Sequence, residues 1–375
     1  VSGERVVVGL SGGVDSAVAA WLLQQQGFDV HALHMTNWQD DEDAYCTAAA
    51  DHQDALAVAR ELRIPLHRVS FADEYRERVF RHFLDEYAAG RTPNPDVLCN
   101  REVKFGVCLE YARRLGGTRL ATGHYARVVH EDGRARLRRA VDRAKDQTYF
   151  LQQVCASALE HAVFPLGELT KPQVRELARR AGLPVHDRAD STGICFVGER
   201  PFREFLGRYL PARPGAIEDE RGVVLGRHEG LMYYTLGQRE GLRLGGRAGA
   251  PEAPWYVAAK DLDRNVLVVV QGHDHPRLYS SGLVAAPVHW IGPPPAPGEF
   301  DAAVQVRHRA PAVPCRVSWD GRLARVRLQA PLRGVAPGQY AAFYAGDECL
   351  GGGAIESTAP LQSTAPAPAP AAVAS

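Results

Sequence analysis

Neither sign of charge predominates in this chain, since 44 Lys and Arg are balanced by 44 Asp and Glu over 375 residues. A uniformly basic surface that would grip a polyanion is therefore excluded, and any nucleic-acid contact must be a local basic patch offset by acids elsewhere. Long apolar runs are missing, and so is a basic-hydrophobic leader, so a soluble cytoplasmic protein with no membrane contact is expected. The seven cysteines, Cys46, Cys99, Cys108, Cys155, Cys195, Cys315 and Cys349, contain no C-x-x-C pair. An odd number in a chain of this length argues against a disulfide framework and for thiols kept reduced. The chain also lacks the Gly-Lys-Ser/Thr of a P-loop and the GxGxxG of a dinucleotide site, which excludes the two commonest nucleotide-binding signatures.

What is present is a regular alternation in the first half. Strand patterns are predicted at 6–10, 30–35, 65–71 and 119–122, and helix patterns at 14–26, 47–62, 72–88 and 104–115, with Gly27 stopping the first helix. Further helices are predicted at 170–181 and 201–209. Strands alternating with helices imply a parallel sheet covered on both faces, hence an α/β nucleotide-binding domain. After about residue 211 the texture changes to short β-rich runs at 255–259, 266–270, 303–307 and 324–328, separated by Gly, Pro and Asp, as in small antiparallel sheets or a barrel. Residues 291–298 (IGPPPAPG) read as a long loop between strands. From Ser357 onward the Ala/Pro-rich tail has too few core residues to fold and is expected to be disordered.

The stretch LSGGVDS at 10–16 sits where the first strand hands over to the first helix. Gly12 and Gly13 let backbone amides approach a ligand, Ser11 and Ser16 offer hydroxyls, and the helix starting near Val14 points its amides at the same spot. The loop is an anion cradle. Its S-G-G-x-D-S pattern resembles the PP-loop of N-type ATP pyrophosphatases, which implies ATP as co-substrate and Asp15 as a Mg²⁺ ligand.

Five further segments narrow this: GRTPNPDVLCNREVKF at 90–105, ATGHYARV at 121–128, KDQTYF at 145–150, DSTGICFVGER at 190–200 and GLMYYTLGQREGL at 230–242. Together they resemble the tRNA-specific 2-thiouridylases, from about Val6 to Glu356. The resemblance implies a parallel-sheet PP-loop ATP pyrophosphatase domain (1–205), a central small β-rich domain (206–278), a C-terminal β-barrel (279–356) and the tail (357–375). It implies that ATP adenylates C2–O of the wobble uridine and that a cysteine persulfide replaces the oxygen with sulfur, releasing AMP and pyrophosphate. The chemistry of the residues agrees: an oxygen must be activated before it can leave, a sulfur nucleophile must arrive, and a second thiol must cleave the S–S bond.

Residue by residue, the resemblance makes Cys195 the persulfide carrier and Cys99 the second thiol, each in a polar loop where a thiol is exposed. Cys108, Cys155, Cys315 and Cys349 read instead as small core residues, and Cys46 stays open. Asp96 is a candidate general acid/base, or an Asx-turn residue after Pro95. Gly9, Leu10, Ser11, Gly12, Gly13, Val14, Asp15, Ser16, Met35 and Gly123 match ATP positions. Asn94, Pro95 and Asp96 match the segment that holds the target base. His124, Lys145, Asp146, Gln147, Arg307, His308 and Gln339 match tRNA contacts, although the family often has an aromatic where this chain has His308. Taken alone, Met35 reads as core and His124 as a solvated loop residue. The partners implied are the Lys, Glu and Gln tRNAs and a persulfide donor, either a relay protein or a desulfurase. GHDHP at 272–276 reads as a turn rather than a metal site. Two other readings stand against the sulfurtransferase: another PP-loop synthetase or amidotransferase, in which the cysteine pair would be idle, and a non-catalytic RNA-binding module, which leaves SGGVDS unexplained.

Overall fold

The computed structural model describes residues 3–38, 48–189, 201–245 and 253–361. In its first part lie β1 (Arg5–Gly9), β2 (Asp29–Thr36), β3 (Leu66–Ser70), β4 (Arg119–Ala121), the hairpin β5 (Ala126–Glu131) and β6 (Arg134–Arg139), and β7 (Ala162–Val163). Five of these form a parallel sheet in the order β3-β2-β1-β4-β7. Val6, Val7 and Val8 of the central strand have no exposed surface, as expected where helices cover both faces. The chain order reverses beside β1, with β2 on one side and β4 on the other. The crevice beyond the carboxyl ends of β1 and β4 is the place where such sheets bind ligands.

Helices follow the expected pattern, at Val14–Gln25, Ala48–Leu62 and Lys171–Arg180, and Gly27 takes a left-handed φ of 85° after the first. The helix predicted at 104–115 begins much earlier. A helical run covers Pro95–Leu98, the π-helical Cys99–Val107 and Cys108–Arg114, with a break at Gly106. Asn94 caps it, its side chain accepting the Asp96 amide at 3.2 Å, and Pro95 takes the first helical position. The polar loop expected around Asp96 and Cys99 is thus a helix start, because Asn-Pro-Asp is a capping sequence as well as a turn sequence.

The hairpin β5–β6 turns through Asp132 and Gly133, both at positive φ, the two-residue turn that Asp-Gly favours. It was not legible as strand because β6, RARLRR, alternates with arginine rather than with neutral polar residues. The middle of the chain forms a four-stranded sheet of β8 (Gly215–Glu218), β9 (Val224–His228), β10 (Trp255–Asp261) and β11 (Val266–Gln271), in the order β10-β11-β8-β9. Then come β12 (Tyr279–Trp290), β13 (Gly298–Gln305), β14 (Val313–Trp319), β15 (Ala324–Arg333), β16 (Tyr340–Ala345) and β17 (Glu348–Pro360). They pair in the order β12-β15-β14-β13-β16-β17, and β17 returns to β12, closing a six-stranded barrel.

The β5–β6 hairpin leaves the first domain and adds to this barrel. Arg138 pairs with Glu348 and Leu137 with Cys349. Around that seam the Arg139 guanidinium lies 3.7 Å from the Tyr344 ring centre, and the Gln153 amide donates to the Gly352 carbonyl at 2.6 Å. Gly352 admits this approach, because a Cβ there would run into the Gln152 side chain and the Ala341 carbonyl.

Two expectations fail here. Cys155 is exposed, at the residue before the short helix Ala156–Leu159, whereas Cys108, Cys315 and Cys349 are buried as expected. The tail does not leave the fold at Ser357: residues 357–360 pair with Val284, Leu283, Gly282 and Ser280 as the end of β17. Ladder hydrogen bonds need no apolar side chains, which is why composition missed them. The remaining tail positions, 362–375, lie outside the described residues.

Candidate active site at the head of the parallel sheet

The loop after β1 folds back on itself. Ser16 Oγ donates to the Gly13 carbonyl at 3.0 Å and accepts the Ser11 amide at 3.2 Å, and the two serine hydroxyls are 3.1 Å apart. Gly13 precedes the helix Val14–Gln25 without any side chain to cap it, so the first-turn amides face the crevice. Gly123, after β4, closes the other wall. A Cβ there would stand 2.7 Å from the Ser16 amide nitrogen. Met35, at the end of β2, has its methyl 3.7 Å from the place a Gly9 Cβ would take. The ten residues matched to ATP positions therefore line or flank one crevice, and Leu10 anchors it by passing its carbonyl to His34 Nδ1 at 2.9 Å.

Gly12 has φ +86°, and a Cβ on it would meet the Asp51 carbonyl of the helix Ala48–Leu62. Gly12→Ala is expected to cost about 1–3 kcal/mol from the backbone conformation alone. It should also distort the cradle, giving a lower Tm together with loss of ATP binding by calorimetry. Unchanged ATP affinity would show that the loop's conformation does not matter.

The charges around this loop come from far along the chain. Asp15 is held by the Lys171 ammonium at 2.7 and 2.8 Å and receives the Tyr125 hydroxyl at 2.9 Å. Lys171 is only 8% exposed. Arg188 donates to the Gly12 carbonyl at 3.0 Å and pairs with Asp51 and Asp54. Sequence reading missed all three residues. Lys171 carried a signal: a lysine at the start of a helix opposes the helix dipole, and such a residue needs an acid from elsewhere. The chemistry also suits a divalent cation. A carboxylate beside an anion cradle is a donor that Mg²⁺ shared with phosphates uses, though here the ion would have to share Asp15 with Lys171.

Tyr125 and Lys171 each extend from Asp15 to the segment 142–147. Tyr125 exchanges hydrogen bonds with Gln147, its amide donating to Oε1 at 2.9 Å and its carbonyl receiving the Gln147 amide at 2.9 Å. The Lys171 amide donates to Asp142 at 2.9 Å, and the same carboxylate caps Ala144 and Lys145.

Asp96 and Cys99 begin the helical run beside this crevice. Burial holds the Asp96 carboxyl above its ordinary range, partly opposed by the Lys104 cation. The Cys99 thiol is 3% exposed, not displayed on a loop as expected. Lys104 acts on Asp96, Cys108 and His124 alike, so it faces the interior of this helical run. His124 is a correction too. It is 8% exposed, with Nδ1 2.7 Å from Thr122 Oγ1 and its ring 6.1 and 6.0 Å from those of Phe105 and Phe164. Burial and Lys104 push its pKa well below the usual value, so it is a neutral packing residue rather than a solvated contact.

The other residues matched to tRNA contacts fall into two groups at domain seams. The Gln339 amide of the barrel donates to the Thr92 carbonyl at 2.8 Å, two residues before Asn94. On the second seam the His308 ring lies 4.5 Å from that of Phe150, and Asp146 and Lys145 both influence its charge. Asp146 itself is fully engaged, accepting from Arg139 at 3.2 Å, the Ala140 amide at 3.0 Å and Thr148 at 2.8 Å. Its buried side chain anchors the segment, whereas Arg307 is exposed. At 272–276 the chain turns, and the His275 ring accepts the Arg277 amide. Cys195 and Cys46 lie outside the described residues.

Comparison with known proteins follows these divisions. Residues 4–199 match the family described as tRNA methyl transferase HUP domain, residues 203–271 its PRC-barrel domain, and residues 280–355 the aminomethyltransferase beta-barrel domain. A tRNA-specific 2-thiouridylase MnmA of Salmonella arizonae is 53% identical over 363 residues, covering 96% of this chain and 99% of the relative. The protein of the same name from Escherichia coli O1:K1 is 53% identical over 361 residues, covering 96% of this chain and 98% of the relative. Among solved structures, a U34-tRNA thiolase from Methanococcus maripaludis is 18% identical with a TM-score of 0.35, over 55% of this chain and 63% of that one. That last likeness is too slight to bear on the assignment. Near-complete alignment at more than half identity does decide it: the chain belongs to the family of tRNA-specific 2-thiouridylases.

Proposed function

We propose that this chain thiolates the wobble uridine of tRNA, using ATP with Mg²⁺ and a persulfide donor. The observation that carries this reading is the 53% identity, over nearly the whole length, to proteins named for that reaction. Two features support it: the anion cradle after β1, and Lys104, which acts on Asp96 and on His124 beside Gly123 of that cradle's wall.

In the first step the cradle amides of residues 11–16 hold the phosphates, and Lys171 offsets charge that builds on the leaving pyrophosphate. The uridine C2 oxygen attacks the α-phosphorus, pyrophosphate departs and N3 gives up its proton. Asp96, whose burial keeps it a stronger base than a surface carboxylate, is placed to take that proton. Mg²⁺, when bound through Asp15, would neutralise the departing phosphates. In the second step the terminal persulfide sulfur on Cys195 attacks C2 and AMP leaves. Cys99 thiolate then attacks the Cys195 sulfur, leaving sulfur on the base and a Cys99–Cys195 disulfide for an external reductant. The division of the chain near 205, 278 and 356 belongs to the same reading, as do the Lys, Glu and Gln tRNAs as substrates, and cytoplasmic location.

Mass spectrometry of nucleosides from an unmodified tRNA, incubated with the protein, ATP, Mg²⁺ and a persulfide donor, tests the proposal. 2-Thiouridine at the wobble position is expected, with one AMP per sulfur. ATP cleavage without a sulfur-containing base would overturn it.

A further inference from the structure

A cavity of about 430 Å³ lies where the three parts of the chain meet. Arg91 and Thr92 reach it from the first domain, Lys260 and Leu262 from the central sheet, and Arg277 and Pro337 from the barrel side. The volume falls within the range of small-ligand sites. Its lining is lopsided in charge: Arg91, Lys260 and Arg277 are present and no carboxylate is. Arg91 is satisfied already, since Glu86 holds its guanidinium through both Nε and Nη2.

Lys260 is not. Its part-buried ammonium makes one hydrogen bond, to the Gly90 carbonyl at 2.9 Å, and no ion pair among the described residues. An ammonium has three donors, so two are left without an acceptor at the cavity wall. Withdrawing a cation from water without a counter-charge is unfavourable, and burial alone lowers this one to about 8. The lining itself supplies no counter-charge. Apolar wall from Leu236, Val257 and Leu262 lies alongside, suited to the non-ionic part of whatever carries that anion.

The position of the cavity identifies the carrier. Thr92 lines it, and the chain from Thr92 to Asn94 spans at most about 7 Å. Asn94 starts the helix with Asp96, and the Thr92 carbonyl is the acceptor for Gln339. A phosphate in the cavity is thus adjacent to the segment expected to hold the target base. We propose that this cavity is a nucleotide subsite, in which Lys260 pairs with the phosphate of a tRNA residue neighbouring the target uridine. The inference rests on the thiolation reading and adds to it a site and a cation outside the resemblance.

The test is equilibrium binding of an unmodified tRNA transcript to the full chain, as a function of salt and pH, for Lys260→Met and Lys260→Arg. Lys260→Met should weaken binding about tenfold or more, the loss of one charged hydrogen bond, and reduce the slope of log affinity against log salt by about one. Lys260→Arg should restore both, and ATP affinity should not change in either. Wild-type affinity should fall as pH rises from 7.5 to 9.5, because the anion pairs only with the protonated amine. In Lys260→Met that dependence should disappear. Of the other groups at the cavity, Arg91 is held above its usual value by Glu86, and the Tyr279 hydroxyl, which donates to Asp274, is raised too, so neither accounts for a change in this window. Leu262→Trp, at an exposed position, fills the cavity with Lys260 intact and should weaken tRNA to a similar degree.

Wild-type affinity and salt slope in Lys260→Met would overturn the proposal. So would loss of AMP or inorganic phosphate binding in that variant with tRNA binding intact, which would make the anion a free one. Thiolation by the wild type, measured in parallel, separates the two readings. If it occurs and Lys260 proves indifferent, only the subsite fails.

Discussion

Asp15→Asn is expected to reduce tRNA-dependent pyrophosphate release by about 10²-fold or more, the usual effect of removing one preorganised charge from a transition state. The substitution keeps the shape of the side chain and an acceptor for the Tyr125 hydroxyl, but it removes the Asp15 charge that Lys171 holds. Asp15 is one-third exposed, so the loss of the ion pair should lower stability by only about 1–2 kcal/mol. The fold should survive, and ATP should still bind through the backbone amides of the loop. Lys171→Met should produce a comparable loss while leaving the carboxylate in place. Pyrophosphate assays on both variants, with Tm as control, decide the matter. Normal release by Asp15→Asn would remove both the metal and the lysine from the adenylation step.

The second large effect separates the thiols. Cys195→Ser should retain no donor-derived sulfur, whereas Cys99→Ser should load a persulfide and then stop before turnover, each lowering 2-thiouridine formation to background. Adenylation should persist in both, since neither thiol belongs to the phosphate cradle. After one wild-type turnover without reductant, peptide mapping should find Cys99 linked to Cys195. A persulfide on Cys99, with Cys195→Ser fully active, would reverse the assignment. The burial of Cys99 adds a condition: its sulfur meets its partner only when the linkage is brought to the start of its helix.

Legibility in the sequence followed the range of the interaction. The cradle was legible because its parts are consecutive: Ser11, Gly13 and Ser16 satisfy one another within six residues. The parallel sheet was legible because Val6–Val8 and its neighbours are apolar on both faces. Lys171 and Arg188 were not, because they act on partners 156 and 176 positions away, and nothing local marks which acid or carbonyl they will meet. His124 and Asp146 match motif positions in the sequence, but both are buried. A motif match locates a residue, while burial depends on Phe105, Phe164 and Arg139 arriving from other elements. Cys99 was misjudged for a related reason, since Asn-Pro-Asp served as a helix cap where a turn had been read.

The hairpin of β5 and β6 bears on how the enzyme can move. Domains joined by a linker are free to hinge, and relative motion is the usual expectation for such a chain. Here the barrel's backbone ladder extends into the β5–β6 hairpin that the first domain contributes, through Arg138–Glu348 and Leu137–Cys349. Arg139 fastens the same seam, stacking on Tyr344 and reaching both Asp146 and Gln305. Separating the hairpin from the barrel would have to break main-chain hydrogen bonds and part a packed guanidinium from its ring. The hairpin therefore travels with the barrel as one body. The exposed Arg307 of the barrel and the Asp15 loop are thereby carried on parts that share one seam.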